Sequence, residues 1–275
     1  MGNKQIVEEY FLNNLESKEG IIGGHHHDNT STTEDGNHEV ALHIFDNIGI
    51  EHGYVLDIGA FSTKASNVIP VMKRYNIPGL LLDGVNKYHD PEIKVEWLTK
   101  DNIVSILQKY DCPKELDYIS IDVDNMDYWL LKSILDAGYI SNLLILEFNP
   151  IWSADESYVK QYSDGAHKAD SDTGYSSNYG ASLAAFTKLL NTYGYRLIHV
   201  MKQNSHNDPS CNNAFFIQET FDNEDIFNNQ QEIISKLHPI GFVEAFKQNH
   251  NEKKFGTSNV DIVKMILKEK WFIEV

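Results

Sequence analysis

Short apolar runs interleaved with helical patterns constrain this 275-residue chain more than any other feature. The runs are 54–59, 79–83, 94–98, 117–122 and 142–148; helical spacing follows at 66–75, 101–110, 126–137 and 180–192. Strands separated by helices of this length predict parallel βαβ units, because parallel neighbours need a crossover. Unbroken apolar runs such as LLILEF fit strands covered on both faces. The rhythm then changes. Residues 195–201 and 213–218 read as strands, and the eleven residues between them carry Asn, Asp and Pro but no helical pattern. That link suits an antiparallel hairpin.

Outside this core, 1–53 reads as a helical extension. Ile6, Val7, Tyr10, Phe11 and Leu15 can share one face of 4–17, a polar Gly/His/Asp/Ser/Thr loop covers 20–36, and Val40, Ile44, Phe45 and Ile48 mark a second helix. The core is 54–219. The tail, 220–275, has helical patterns at 226–237 and 261–271, expected to pack on the sheet edge or between the subunits of a homo-oligomer. The whole reads as one domain. The stretch 153–179 shows no periodicity, and its aromatics Tyr158, Tyr162, Tyr175 and Tyr179, with Trp152, are expected to shape a pocket.

Charge narrows the function. A formal net charge of −17 repels phosphate backbones and no Lys/Arg cluster relieves it, so nucleic acid is excluded as a partner in favour of a small molecule, a sugar or a protein. No apolar run reaches membrane-spanning length and the first residues lack a secretory pattern; two cysteines, Cys112 and Cys211, have no metal-binding spacing. These features predict a cytoplasmic protein.

Three constellations can carry chemistry. Asp57-Ile58-Gly59-Ala60-Phe61-Ser62 follows the first strand; a glycine there lets the backbone turn sharply and approach a ligand, or simply makes a tight turn. One glycine where dinucleotide binders have three argues against NAD. Asp83-Gly84 closes the second strand, where an acid can accept both ribose hydroxyls of an adenosine. Asp101 and Asn102, after the third, can reach an adenine edge, while Asp101 also suits a helix N-cap. Last, Asp122, Asp124, Glu147 and Asn149 are expected at adjacent strand ends. They can bind Mg²⁺ or another hard cation through Asp122, Asp124 and Glu147, or take a proton from an acceptor hydroxyl. Alternatively Asp124 or Asn125 caps the next helix. An EF-hand is excluded, since Gly is missing at the sixth position and Ser133 occupies the twelfth. Consecutive His25, His26 and His27 lack the i, i+4 spacing of zinc helices and read as a solvated loop.

The stretches VLDIGA (55–60), GLLLDG (79–84), YISIDVDNMDYWLLKSI (118–134), LILEFNP (144–150), GASLAAFTKLLNTYGYRLIHV (180–200) and NNAFFI (212–217) resemble FkbM-type methyltransferases and their uncharacterised relatives. The resemblance implies an α/β, Rossmann-like class I methyltransferase fold: a seven-stranded, mostly parallel sheet with a C-terminal antiparallel hairpin. It also implies S-adenosyl-L-methionine as cofactor and O-methylation of a small-molecule or sugar hydroxyl. By position, Asp57 and Gly59 fall in the cofactor loop, Asp83 in the ribose site and Asp122 near methyl transfer. Similar sequences often carry a second glycine in the first loop, where this chain reads Phe61-Ser62-Thr63-Lys64, and a Cβ at Thr63 is expected to crowd the methionine end. Two other readings stand beside this one: a methyltransferase-fold binding or scaffold protein without turnover, and a metal-dependent enzyme of another class.

Overall fold

The computed structural model describes residues 37–123, 125–163, 179–202, 212–221 and 260–275. The expected segments 4–17, 20–36 and 226–237, together with Asp124 and Tyr175, lie outside these residues. A helix α1 (Asn37–Ile48) precedes β1 (Val55–Ile58), α2 (Ile69–Tyr75), β2 (Gly79–Asp83), β3 (Ile93–Val95) and α3 (Ile103–Lys109). Then come β4 (Glu115–Ile121), α4 (Asp127–Asp136), β5 (Ile140–Glu147), β6 (Tyr158–Lys160), α5 (Leu183–Asn191), β7 (Tyr195–Lys202) and β8 (Asn212–Gln218). A 3₁₀ turn (Glu219–Phe221), α6 (Val260–Lys270) and β9 (Phe272–Glu274) complete the described elements.

Seven strands form one sheet in the order β3-β2-β1-β4-β5-β8-β7. Strands β1 to β5 are mutually parallel, and β8 runs antiparallel between β5 and β7. This is the mixed α/β sheet with a terminal antiparallel hairpin that the interleaved runs predict. Alternation sorts each strand between two cores. Leu56, Ile58, Leu80, Leu82, Leu144 and Leu146 pack with Ile106, Leu131, Ile134 and Phe186 from α3, α4 and α5. Val55, Leu81, Tyr118, Leu143, Ile145 and Phe215 face Val40, Ile44 and Phe45 of α1 and Val71 of α2. Asp57 shares the parity of Val55, so it enters the second layer, beneath α1 and α2.

Several boundaries shift for local reasons. Helix α2 begins at Ile69, with Pro70 in its first turn, where a missing N–H costs nothing. The third strand ends at Val95, not at Leu98, as Trp97 turns out over Gly84; a Cβ on Gly84 would stand 3.2 Å from that ring. Helix α5 starts at Leu183 because Ser182 caps it, its hydroxyl accepting from the Ala185 amide at 3.1 Å. The unpatterned stretch after Trp152 holds β6, which pairs antiparallel with β9. Beneath this clasp, Trp152, Ile151, Leu267 and Phe272 form a third small core, with Trp152 stacked 4.7 Å from Tyr158. Helix α6 therefore seats on the strap beyond the end of β5. Among the described residues, no helix is long and apolar enough to cross a membrane.

Candidate functional site

The parallel strands carry their carboxyl ends to one edge, and the strand order reverses between β1 and β4. In open α/β sheets ligands lie in the crevice at such a switch point. The registers Ile58 opposite Leu82, Ile58 opposite Ile121, and Ile121 opposite Leu146 lead Asp83, Gly59, Asp122 and Glu147 out side by side. The expected juxtaposition of Asp122 with Glu147 is thus present. Glu147 is buried and stands opposite Asn213 of β8, while Asp122 is half-buried.

Gly59 adopts a φ of 88°, and a Cβ on it would lie 1.6 Å from the Asp122 carbonyl oxygen. The glycine is required by the contact between β1 and β4 at the mouth of the crevice. From there every amide of 59–63 donates inside the protein. Those of Gly59 and Ala60 reach Leu82 O at 2.9 and 3.1 Å, and Ser62 reaches back to Ala60 O. The Phe61 amide donates to Asp83 Oδ2 at 2.8 Å, and Thr63 gives both its amide (2.9 Å) and its hydroxyl (2.5 Å) to Asp90 Oδ2. The Thr63 hydroxyl leads the bonds that hold the Asp90 carboxyl below the usual range. Thr63, expected to crowd a ligand, is tied instead to the β2–β3 loop.

Asp83 ties the first two loops together, its Oδ1 also accepting from the Val85 amide at 2.7 Å. A carboxylate offers about four acceptor directions, so two amides leave room for two further donors. Around it stand Phe61 of the expected cofactor loop and two rings, Tyr88 and Trp97, that sequence patterning did not single out. Phe61 is 42% exposed, Tyr88 56% and Trp97 47%; Phe61 meets Tyr88 edge-on at 5.3 Å. Phe61 holds a left-handed φ of 51°, which a non-glycine residue adopts only at a cost. An exposed ring on a strained backbone beside a carboxylate is a feature of binding surfaces more than of cores.

Other expected residues fall elsewhere. Asp57 is fully buried and accepts from Ser66 Oγ at 2.5 Å, from Ser120 Oγ and from the Asn67 amide. Burial is the dominant influence and pushes its carboxyl up to about 6. Asp101 is not an N-cap: it is exposed and pairs with Lys100 Nζ at 2.6 Å, while Asn102 occupies the cap position. Asn102 accepts from the Thr99 amide at 2.7 Å and donates to Trp97 O at 2.8 Å, fixing the β3–α3 loop. Asn149 is fully buried; its Nδ2 donates to Tyr179 O and its Oδ1 accepts from the Ile151 amide, which shapes the turn after β5. Asn125 is not the cap of α4, a position held by Met126; Asp127 Oδ1 accepts from the Val123 amide instead. Trp152 is core, not pocket wall. The Tyr162 hydroxyl accepts from the Lys100 amide at 3.3 Å, while Trp129 Nε1 donates to Lys160 O. The strap 158–162 is therefore tied to the loop after β3 and to the first turn of α4.

Among the described residues, no group of three His, Cys, Asp or Glu side chains could hold a metal ion. Asp124, the third member of the expected set, lies outside them.

No family model matches the sequence, and no curated protein matches it. Among solved structures, the chain is similar to a "putative hemolysin" from Lactococcus lactis at 12% identity and a TM-score of 0.38, over 73% of this chain and 95% of that one. A "putative hemolysin" from Streptococcus thermophilus is similar at 15% identity and a TM-score of 0.36, over 74% of this chain and 73% of that one. Scores this low carry no argument about fold or activity.

Proposed function

We propose that this chain is an S-adenosylmethionine-dependent methyltransferase of the Rossmann-like class I fold, akin to FkbM-type enzymes, which methylates a small-molecule or sugar hydroxyl. One observation carries the reading: Asp83 and the Gly59 turn flank the switch point of a sheet with five parallel strands and a final antiparallel hairpin. The amides of 59–63 are all engaged, which leaves that turn no donors for a pyrophosphate and disfavours dinucleotides. Two remaining acceptor directions on Asp83 match the vicinal hydroxyls of a ribose, and the exposed Phe61 and Trp97 rings offer faces for a purine.

When bound, S-adenosylmethionine supplies an electrophilic methyl on a sulfonium. The chain's own work is to hold and orient. Asp83 accepts the ribose hydroxyls, and the carboxylates of Asp122 and Glu147 hold the acceptor hydroxyl at the neighbouring strand ends. Glu147, buried at the end of β5, takes the proton from that hydroxyl. Asp124 shares this role by its place in the sequence. The acidic edge also suits a cationic cofactor.

A second reading, a binding protein without turnover, is favoured by one observation: both Asp83 oxygens already accept amides, one of them from the strained Phe61. Titration calorimetry with millimolar S-adenosylmethionine tests the proposal. Binding is expected, and Asp83→Ala should weaken it at least tenfold. No heat of binding overturns the reading, and binding that Asp83→Ala leaves unchanged overturns the site. Turnover of a hydroxylated acceptor separates enzyme from binding protein, and its survival in EDTA separates a carboxylate base from a metal centre.

A further inference from the structure

Asp57 lies buried one layer below the crevice, yet two of its three donors end the crevice loop. The residue is 2% exposed. It accepts from the Ser66 hydroxyl and the Asn67 amide, which end that loop, and from Ser120 on β4. Asn67 Nδ2 donates to the same Ser120 hydroxyl at 3.1 Å, and Asn67 Oδ1 accepts from Asn37 Nδ2 of α1 at 3.3 Å. Ser66 in turn closes the loop on itself, its amide donating to Ser62 O at 2.9 Å and its hydroxyl accepting from the Val68 amide. Thus one buried acid anchors the far end of the turn whose near end is pinned under Leu82 and Asp83.

We propose that Asp57 is a positioning residue, which acts through Ser66 and Asn67 to fix the turn 59–66 against Asp83 and never touches the ligand. This rests on the reading of the crevice as a cofactor site, but the anchoring itself needs no cofactor. The physical reason is direct. A carboxylate that accepts several bonds in a dry layer holds its donors more firmly than neutral acceptors do, and a buried hydroxyl or amide left without its acceptor costs about 1–3 kcal/mol. Removing the acid should therefore release the loop before it disturbs the sheet.

Amide hydrogen exchange on the full chain without cofactor reads this directly. Asp57→Leu, which keeps bulk and removes the acceptor, should lower protection of the 59–66 amides at least tenfold while leaving the amides of α5 and β8 unchanged. Asp57→Asn keeps an acceptor, and the two serine hydroxyls can turn to accept from its amide, so it should restore protection to within about threefold of the parent. Where Asp57→Leu does not fold, Ser66→Ala removes one hydroxyl from the same network and should lower protection of the same amides. Unchanged loop protection in Asp57→Leu, or in Ser66→Ala where that variant stands in, overturns the proposal. Calorimetry with S-adenosylmethionine supplies the second arm: Asp57→Asn should bind within about threefold of the parent. A tenfold loss in Asp57→Asn with the loop still protected also overturns the proposal, because it means the charge itself meets the ligand. If the parent binds no S-adenosylmethionine, the cofactor reading fails while the exchange data still decide the anchoring.

Discussion

Two glycines at the crevice look alike in the sequence and carry different constraints. Gly59 is locked, since a Cβ would sit 1.6 Å from a backbone oxygen of the adjacent strand and the φ of 88° disfavours any side chain. Gly59→Ala should cost about 4 kcal/mol or more, or prevent folding, because β1 and β4 must part to admit one methyl. Gly84→Ala meets only the Trp97 ring at 3.2–3.3 Å, and that ring, 47% exposed, need yield only by about a few tenths of an ångström. Its cost should stay below about 1 kcal/mol. Thermal melts of the two variants against the parent check the contrast, and a mild Gly59→Ala would refute the packing argument. At this scale the sequence was only partly legible. A glycine and an acid at strand ends follow from the pattern of runs. That Asp83 accepts the Phe61 amide, or that Asp57 is walled off, depends on partners more than twenty positions away or in another layer.

At the scale of elements, strands β1, β2 and β5 could be read because each is a short, mostly apolar run covered on both faces, a pattern that burial itself imposes, and β4 because polar and apolar residues alternate along it. Strands β6 and β9 could not. Each has three residues, too few for a period of two to show, and each exists only by pairing with the other across more than a hundred positions. The opposite end of the sheet hides a second such feature. Asp117, at the start of β4, is fully buried, and its carboxylate accepts the amides of Glu51, His52, Gly53 and Tyr54, at 2.6 to 3.3 Å, and Nδ2 of Asn142. One acid thus anchors the whole α1–β1 connection and sets where β1 begins. Asp117→Ala strands several buried donors at once, so a loss of roughly 4 kcal/mol is expected. Urea unfolding should show a lower midpoint at an unchanged slope; a midpoint within error of the parent would mean that the loop is held by its own turns.

For the whole molecule, two buried groups oppose each other in their response to pH. Burial pushes the Asp57 carboxyl from 3.8 up to about 6, and burial pulls the His199 imidazole, on β7 against Phe215, from 6.5 down to about 4. Between pH 3.8 and 6 the unfolded chain gives up the Asp57 proton while the folded chain keeps it, so this group makes stability fall as pH rises. Between pH 6.5 and 4 the unfolded chain takes up the His199 proton while the folded chain cannot, so that group makes stability fall as pH drops. His38 and His43, also lowered chiefly by burial, add to the second trend. Glu156 acts elsewhere: desolvation raises its carboxyl, but Lys264 and Ser153 outweigh that and hold it at about 2, so its contribution is lost only below pH 4.5. Each shift of about two units corresponds to roughly 3 kcal/mol. Asp57→Asn should therefore be more stable than the parent by about 3 kcal/mol at pH 7, with the advantage gone by pH 4. His199→Phe, where the larger ring packs, should lose less stability than the parent on going from pH 7 to 4. Urea unfolding of the three proteins at pH 4, 5, 6 and 7 measures both differences. A gain for Asp57→Asn that does not depend on pH would show that folding leaves the Asp57 carboxyl at its ordinary value, and one that keeps growing to pH 7 would show that the acid stays neutral in the fold. A gain that rises from pH 4 and levels off above about pH 6 means that at neutral pH the molecule gives up stability to keep a charge under its crevice loop, a sacrifice that a purely structural asparagine would avoid.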